Sequence, residues 1–477
     1  MPEPGLLTSK VRAYMESLTP MARAMLVRSL RASASHGDIP NEVILAAIEG
    51  LEIAGEPTTP VRRPASAPAP TVGEPWSQRL ESAFFAPLAP FLVDDSVTPH
   101  LTGRIARAHL PVIWNWIRRD AAAEDVDRAL AADPYDAAAD ATPVARKLRR
   151  DAMVQVVGFL RDAGTESRAR QKLIGQLGGE AIYRDLVDVA YVLQNEAAFA
   201  NLFAQLPSNI TTFDVAEPSR LADVIRASIE QVQMTLEWIT AAVLTRTANP
   251  VVVAHLACRL VGSSDPRLVA GSRYACLIEG LLALIERHAA CAKSRGTDPQ
   301  SRTRFFSDLR SYHDISRSFG HVFVIEDVPT WFRRLGAARV VMSEAVSQRI
   351  EVAPGLVRRA LRVEASGGQY GSRFDPEAVE DAEFAVRLSI EARLAAETLA
   401  VNEVVGRIRK QIETTLEHIS GKLLADLKAS PSLDRRALVD ASDAAIRLAA
   451  IVFGEDYAAV LRKSRDNALQ KPAKAAG

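Results

Sequence analysis

The sequence predicts an all-α chain. Cap-then-proline pairs recur along it at Thr98-Pro99, Thr142-Pro143, Asn249-Pro250, Asp265-Pro266, Asp298-Pro299 and Asp375-Pro376. Each places a side-chain acceptor where the first helical N–H groups lack partners, and proline where no donor is missed. Apolar residues at helical spacing follow each pair. Only His321-Val-Phe-Val-Ile-Glu reads as strand, and one short strand makes no sheet.

Residues 1–55 read as a small module of three short helices. Thr8 or Ser9 caps the first, Thr19-Pro20 opens the second, and Asp38-Ile-Pro40 starts the third. In the third, Val43, Ile44, Ala47, Ile48 and Leu51 share a face, and Gly55 ends it. Residues 56–75 are proline- and alanine-rich with no apolar periodicity, the pattern of an extended, disordered tether. Residues 76–374 form a large multi-helix body, an irregular α-solenoid or a bundle. Its Asp120–Asp140 stretch is acidic, with seven carboxylates against Arg128, and reads as a solvated helix and loop in preference to an acidic docking surface.

A long amphipathic helix is expected to start at Asp375 and continue to Lys428. Val401, Val405, Ile408, Ile412, Leu416, Ile419, Leu423 and Leu427 form its stripe. Their mean spacing of about 3.7 is nearer an eleven-residue repeat than a heptad, so the helix reads as a spine packed across other helices. Self-association through 375–428 is the alternative use of the stripe. Two further helices complete the region to 466, and 467–477 reads as a disordered tail.

Composition narrows the function classes. Fifty-eight basic residues balance 58 acidic ones, which argues against a general nucleic-acid or membrane-surface binder. Three cysteines are too few for a disulfide scaffold. The greasiest stretch, Leu236–Val261, is interrupted by Glu237, Arg246 and Asn249-Pro250, short of the roughly 20 apolar residues a bilayer requires. With no basic start and apolar core at the N-terminus, the expectation is a cytoplasmic protein. Arginine outnumbers lysine 48 to 10 beside abundant alanine, the signature of GC-rich coding and hence of a bacterial source.

Familiar catalytic motifs are missing. Gly367-Gly-Gln-Tyr-Gly371 lacks the spacing and lysine of a phosphate loop and reads as a turn. There is no Gly-x-Ser-x-Gly, no His-Glu-x-x-His and no Glu-x-x-His. His255/Cys258 and His288/Cys291 are His-x-x-Cys pairs, each on one helix face. In a hairpin turning near residues 264–268 the pairs would lie about 20–25 Å apart at 1.5 Å per residue, so the thiols read as core, with Cys276 level with Cys258. Trp114 and Trp116 point to different helix faces, one expected in the core and the other either exposed as an interface anchor or, the favoured reading, partly buried at a helix contact. Trp331-Phe-Arg-Arg fits a partner-binding turn or a capped helix start. His36, His100, His109 and His321 stand alone.

His288, His313-Asp314 and a later aspartate, Asp375 or Asp381, form the one ordered series with chemical content. It resembles the metal-dependent phosphohydrolases of the HD superfamily, which are all-α. The resemblance implies divalent metals held by such side chains, activating water on a phosphate. The context Asp308-Leu-Arg-Ser-Tyr-His-Asp-Ile-Ser departs from that family, where His-Asp usually precedes a glycine. Between Arg295 and Arg362 twelve arginines face seven acids; anionic ligands or nucleic acid could use them, but surface ion pairing is the simpler reading. No residue is assigned as catalytic, cofactor-binding or metal-ligating. The leading expectation is a non-enzymatic interaction or scaffold protein with a protein partner, since a small module on a tether raises the local concentration of what the body binds. A metal hydrolase on His288, His313 and Asp314 is the alternative, and a regulator binding anionic ligand or nucleic acid the second.

Overall fold

The computed structural model describes residues 75–94, 100–132, 140–210, 217–232, 235–247, 249–363, 374–429 and 435–470. The expected N-terminal module, the tether up to residue 74 and the cap pair Thr98-Pro99 lie outside them. The described residues are helical almost throughout, as the cap pairs and apolar spacing require. The exceptions are a two-residue parallel pairing of β1 (Leu92–Val93) with β2 (Ile105–Ala106) and an isolated bridge between Ile210 and Thr247. The expected strand near His321 is instead the end of a helix followed by a short 3-10 turn, Ile325–Asp327.

The first layers are α1 (Trp76–Phe85), α2 (Leu110–Trp116), α3 (Ala123–Ala131), α4 (Thr142–Thr165), α5 (Ser167–Leu177), α6 (Glu180–Gln194) and α7 (Glu196–Gln205). Helix α4 packs on α1, α3, α5 and α6. Both Trp114 and Trp116 are buried at helix contacts, so neither is an exposed anchor. Different neighbours claim them: Trp114 meets Phe84 and Phe85 of α1, and Trp116 meets Phe159 of α4 edge-on. In the acidic stretch, Glu124 and Asp125 occupy the first turn of α3, where the helix dipole favours them. Asp140 accepts the Thr142 N–H at the start of α4, and that hydrogen bonding holds its carboxyl below the ordinary range.

The middle comprises α8 (Glu217–Val232), α9 (Leu236–Arg246), α10 (Val252–Val261), α11 (Pro266–Ala270), α12 (Ala275–Ser294), α13 (Pro299–Val322) and α14 (Pro329–Glu351). Helix α12 is central, packing on α9, α10, α13 and α14. Among the described residues no helix is long and apolar enough to cross a membrane. Two of the expected caps form here, Asp265 accepting from the Arg267 N–H at 2.8 Å and Asp298 from the Ser301 N–H at 3.0 Å. Thr142, by contrast, is itself the first residue of α4, and Asn249 accepts the Val251 N–H one turn ahead of α10 without capping it. Trp331 resolves as part of a helix start, with Pro329 in the first turn and the indole buried against Phe319 and Phe323.

A second hydrophobic core begins at α15 (Ala353–Ala360) and takes in α16 (Pro376–Leu394), α17 (Asn402–Ala429), α18 (Arg435–Phe453) and α19 (Glu455–Gln470). Asp375 caps α16 through the Glu377 and Ala378 N–H groups. The stripe on α17 is buried at Val405, Ile408, Ile412, Leu416, Leu423 and Leu427, so the spine is intramolecular. The expected single helix from 375 to 428 is broken at Ala395–Val401. Distant residues hold the break: Tyr312 Oη donates to the Thr398 carbonyl, Arg339 to the Leu399 carbonyl at 2.8 Å, and the Ala400 N–H donates to Ser343 Oγ at 3.0 Å. The helix α19 continues to Gln470, past the expected end at 466, because Ala468 is fully buried. Helix lengths from five to 28 residues give no repeat of constant size.

Candidate functional site

The residues that resemble a metal-hydrolase series are separated by the fold. His288 on α12 places Nδ1 3.1 Å from Oδ1 of buried Asp308 on α13. The other oxygen of Asp308 takes two bonds from Arg295, at 2.9 and 2.8 Å. His313 lies five residues further along α13 and about 140° around it. Its Nδ1 is 2.8 Å from Thr398 Oγ1 in the α16–α17 break. Asp314 lies near Arg310, which pairs with Glu391; Asp381 pairs with Arg302. His288 and His313 therefore serve different helix contacts. Asp308 was missed as the partner of His288, although hairpin geometry points to it. The turn centres near residue 297, with His288 nine positions before and Asp308 eleven after.

A second cluster joins two histidines read as isolated. Buried Asp185 and Asp188 lie three apart on α6. Asp185 Oδ2 accepts the Ala106 N–H at 2.8 Å and sits 2.7 Å from His109 Nδ1. Asp188 Oδ2 accepts the Gly103 N–H at 3.0 Å and lies 3.3 Å from His100 Nε2. Each carboxylate thus anchors backbone of the 100–109 segment to α6. Gly103 is required there, with φ +73° and a would-be Cβ 2.6 Å from Ala241 Cβ.

The three thiols are free cysteines. Burial raises the Cys258 thiol, and chiefly burial, offset by a hydrogen bond with Thr240, pushes Cys276 up to about 11. Among the described residues no three or more His, Cys, Asp or Glu side chains converge as a metal would need. The arginines of 295–362 are largely consumed by the fold. Arg302, Arg317, Arg334 and Arg359 pair with carboxylates, while Arg349 donates to the Arg295 carbonyl and covers the Phe305 ring at 4.4 Å.

Open space lined by charge lies elsewhere, where α16, α17 and α18 meet. One cavity of about 180 Å³ is lined by Ser389, Ile390, Arg393, Arg409, Ile412, Ile451 and Val452. A wider one of about 470 Å³ is lined by Arg393, Ala396, Asn402, Val405, Gly406 and Arg409. Arg393 and Arg409 border both, so the two form one crevice with a narrow aliphatic end and a wider end of mixed lining. The break at Ala395–Val401 creates it by turning the last turn of α16 against the first turns of α17. Its wider end abuts the α17 N-terminus, the positive end of a 28-residue helix dipole. No acidic side chain lines either cavity. Arg409 donates to Glu413 at 2.7 Å one turn along α17, and Arg393 has no ion-pair partner among the described residues. Gly406 lines the wider cavity at an exposed position, where a Cβ would meet nothing within 4 Å. The sequence carried no signal for this crevice, because its lining spans residues 389–452 on three helices.

No family model, no curated protein and no solved structure matches the chain.

Proposed function

We propose that this chain is a non-enzymatic, cytoplasmic interaction protein, a helical scaffold that holds a protein partner on its C-terminal helices. The observation that carries the reading is the crevice between α16, α17 and α18, with aliphatic floor and arginine borders. Apolar anchors framed by charge are the usual anatomy of a docking surface, and arginine is enriched among residues that dominate binding energy. The test is a quantitative pull-down with the full chain and with Gly406→Phe. That variant places an aromatic ring on the lining of the wider cavity, at an exposed helical position where the new side chain starts in open space. A stoichiometric protein captured by the wild type and lost with Gly406→Phe supports the proposal. Identical captures by both, or no partner at all, overturn it.

A further inference from the structure

We infer that the crevice selects a partner segment in which an aliphatic side chain is flanked by carboxylates. The inference rests on the docking reading above and specifies the chemistry of what docks. The aliphatic end, Ile390, Ile412, Ile451 and Val452, accepts a branched side chain by burial alone. Its volume of about 180 Å³ accommodates one or two such groups but no folded element.

The borders set the charge. Two guanidinium groups flank the passage between the ends: Arg393 presents a planar fork with no ion-pair partner among the described residues, and Arg409 gives Nε to Glu413 and keeps its terminal N–H groups for a ligand. The α17 N-terminus adds a field of the same sign at the wider end. The acids nearest in sequence are engaged or outside the lining. Glu413 pairs with Arg409, Glu391 with Arg310, Glu397 with Arg317, and Glu383 with Arg387 and Arg447; Glu403 lines neither cavity. A basic segment would meet like charge, and a purely apolar one would desolvate both arginines without replacing their hydration. An acidic–aliphatic segment satisfies both ends.

The experiment pans a library of random seven-residue peptides against the full chain, in parallel with the charge-reversed variant R393E/R409E. Equal helix content and melting temperature of the two proteins establish that the variant folds. The expected result is enrichment of peptides with Leu, Ile, Val or Met beside Asp or Glu. Individual binders should weaken about tenfold or more in R393E/R409E and lose affinity with added salt. Enriched peptides without acids, binding unchanged by the charge reversal, or no enrichment overturn the inference. If Gly406→Phe releases a protein partner while the selected peptides carry no acids, the docking reading stands and the charge inference fails. If the pull-down also captures nothing, both fail.

Discussion

Arg149 offers a sharp test of the packing argument. Its side chain on α4 is almost fully buried and makes four hydrogen bonds. Two go to Glu196 at the start of α7, both at 2.9 Å, and two to the carbonyls of Ala83 and Phe84, at 2.6 and 3.3 Å. Those carbonyls belong to the last turn of α1, which runs straight into a 3-10 turn at Ala86–Phe91, and Pro87, four residues after Ala83, has no N–H to donate. One guanidinium thus closes the end of α1 and ties it to α4 and α7. Arg149→Met keeps the length and apolar stem but removes every donor. Breaking a buried pair from one side costs about 3–5 kcal/mol. Glu196 is a third exposed and can rehydrate, which places the expected loss at the lower end, about 3 kcal/mol. Urea unfolding followed by tryptophan fluorescence reports it directly, since Trp76, Trp114 and Trp116 all lie in the surrounding core. At a slope of about 3 kcal/mol/M the first transition should fall by about 1 M. Glu196→Gln should cost less than Arg149→Met, because the carbonyl contacts survive it. A loss below about 1 kcal/mol for Arg149→Met, within the range of a surface pair, would refute the reasoning.

Two further outcomes follow from single positions. Gly103→Ala should destabilise by more than the roughly 1–2 kcal/mol of a left-handed backbone, because its Cβ also meets Ala241 Cβ at 2.6 Å; Ala241→Gly in the same chain should recover only the steric part in denaturant melts. Cys276, with its thiol pushed to about 11, should hold only about 0.1% thiolate at pH 8. Labelling by iodoacetamide, followed by peptide mass spectrometry, should therefore be slow at Cys276 and rise about tenfold per pH unit up to pH 10, while a rate matching an unstructured cysteine would contradict its burial.

What the sequence determined by itself is whatever a few neighbouring residues control. Asp265, Asp298 and Asp375 cap their helices because a short side-chain oxygen reaches N–H groups two or three residues on, without help from the rest of the fold. The stripe from Val405 to Leu427 was legible for the same reason, since a helix places residues three and four apart on one face whatever it packs against. Partners distant in sequence decided the rest. Thr398, Leu399 and Ala400 leave the helix because Tyr312, Arg339 and Ser343 bind their backbone groups, and nothing in 375–428 encodes those partners. Trp114 and Trp116 are both buried because α1 and α4 arrive on different sides of α2. His288 meets Asp308 rather than His313 because packing of α12 on α13 selects which face each histidine presents. The crevice is the extreme case. Arg393 and Arg409 are unremarkable in sequence, and they border one space only because the break at Ala395–Val401 folds α17 back beside α16 and α18. Its chemistry is set by which side chains the tertiary structure leaves facing one another, a property that local pattern does not carry.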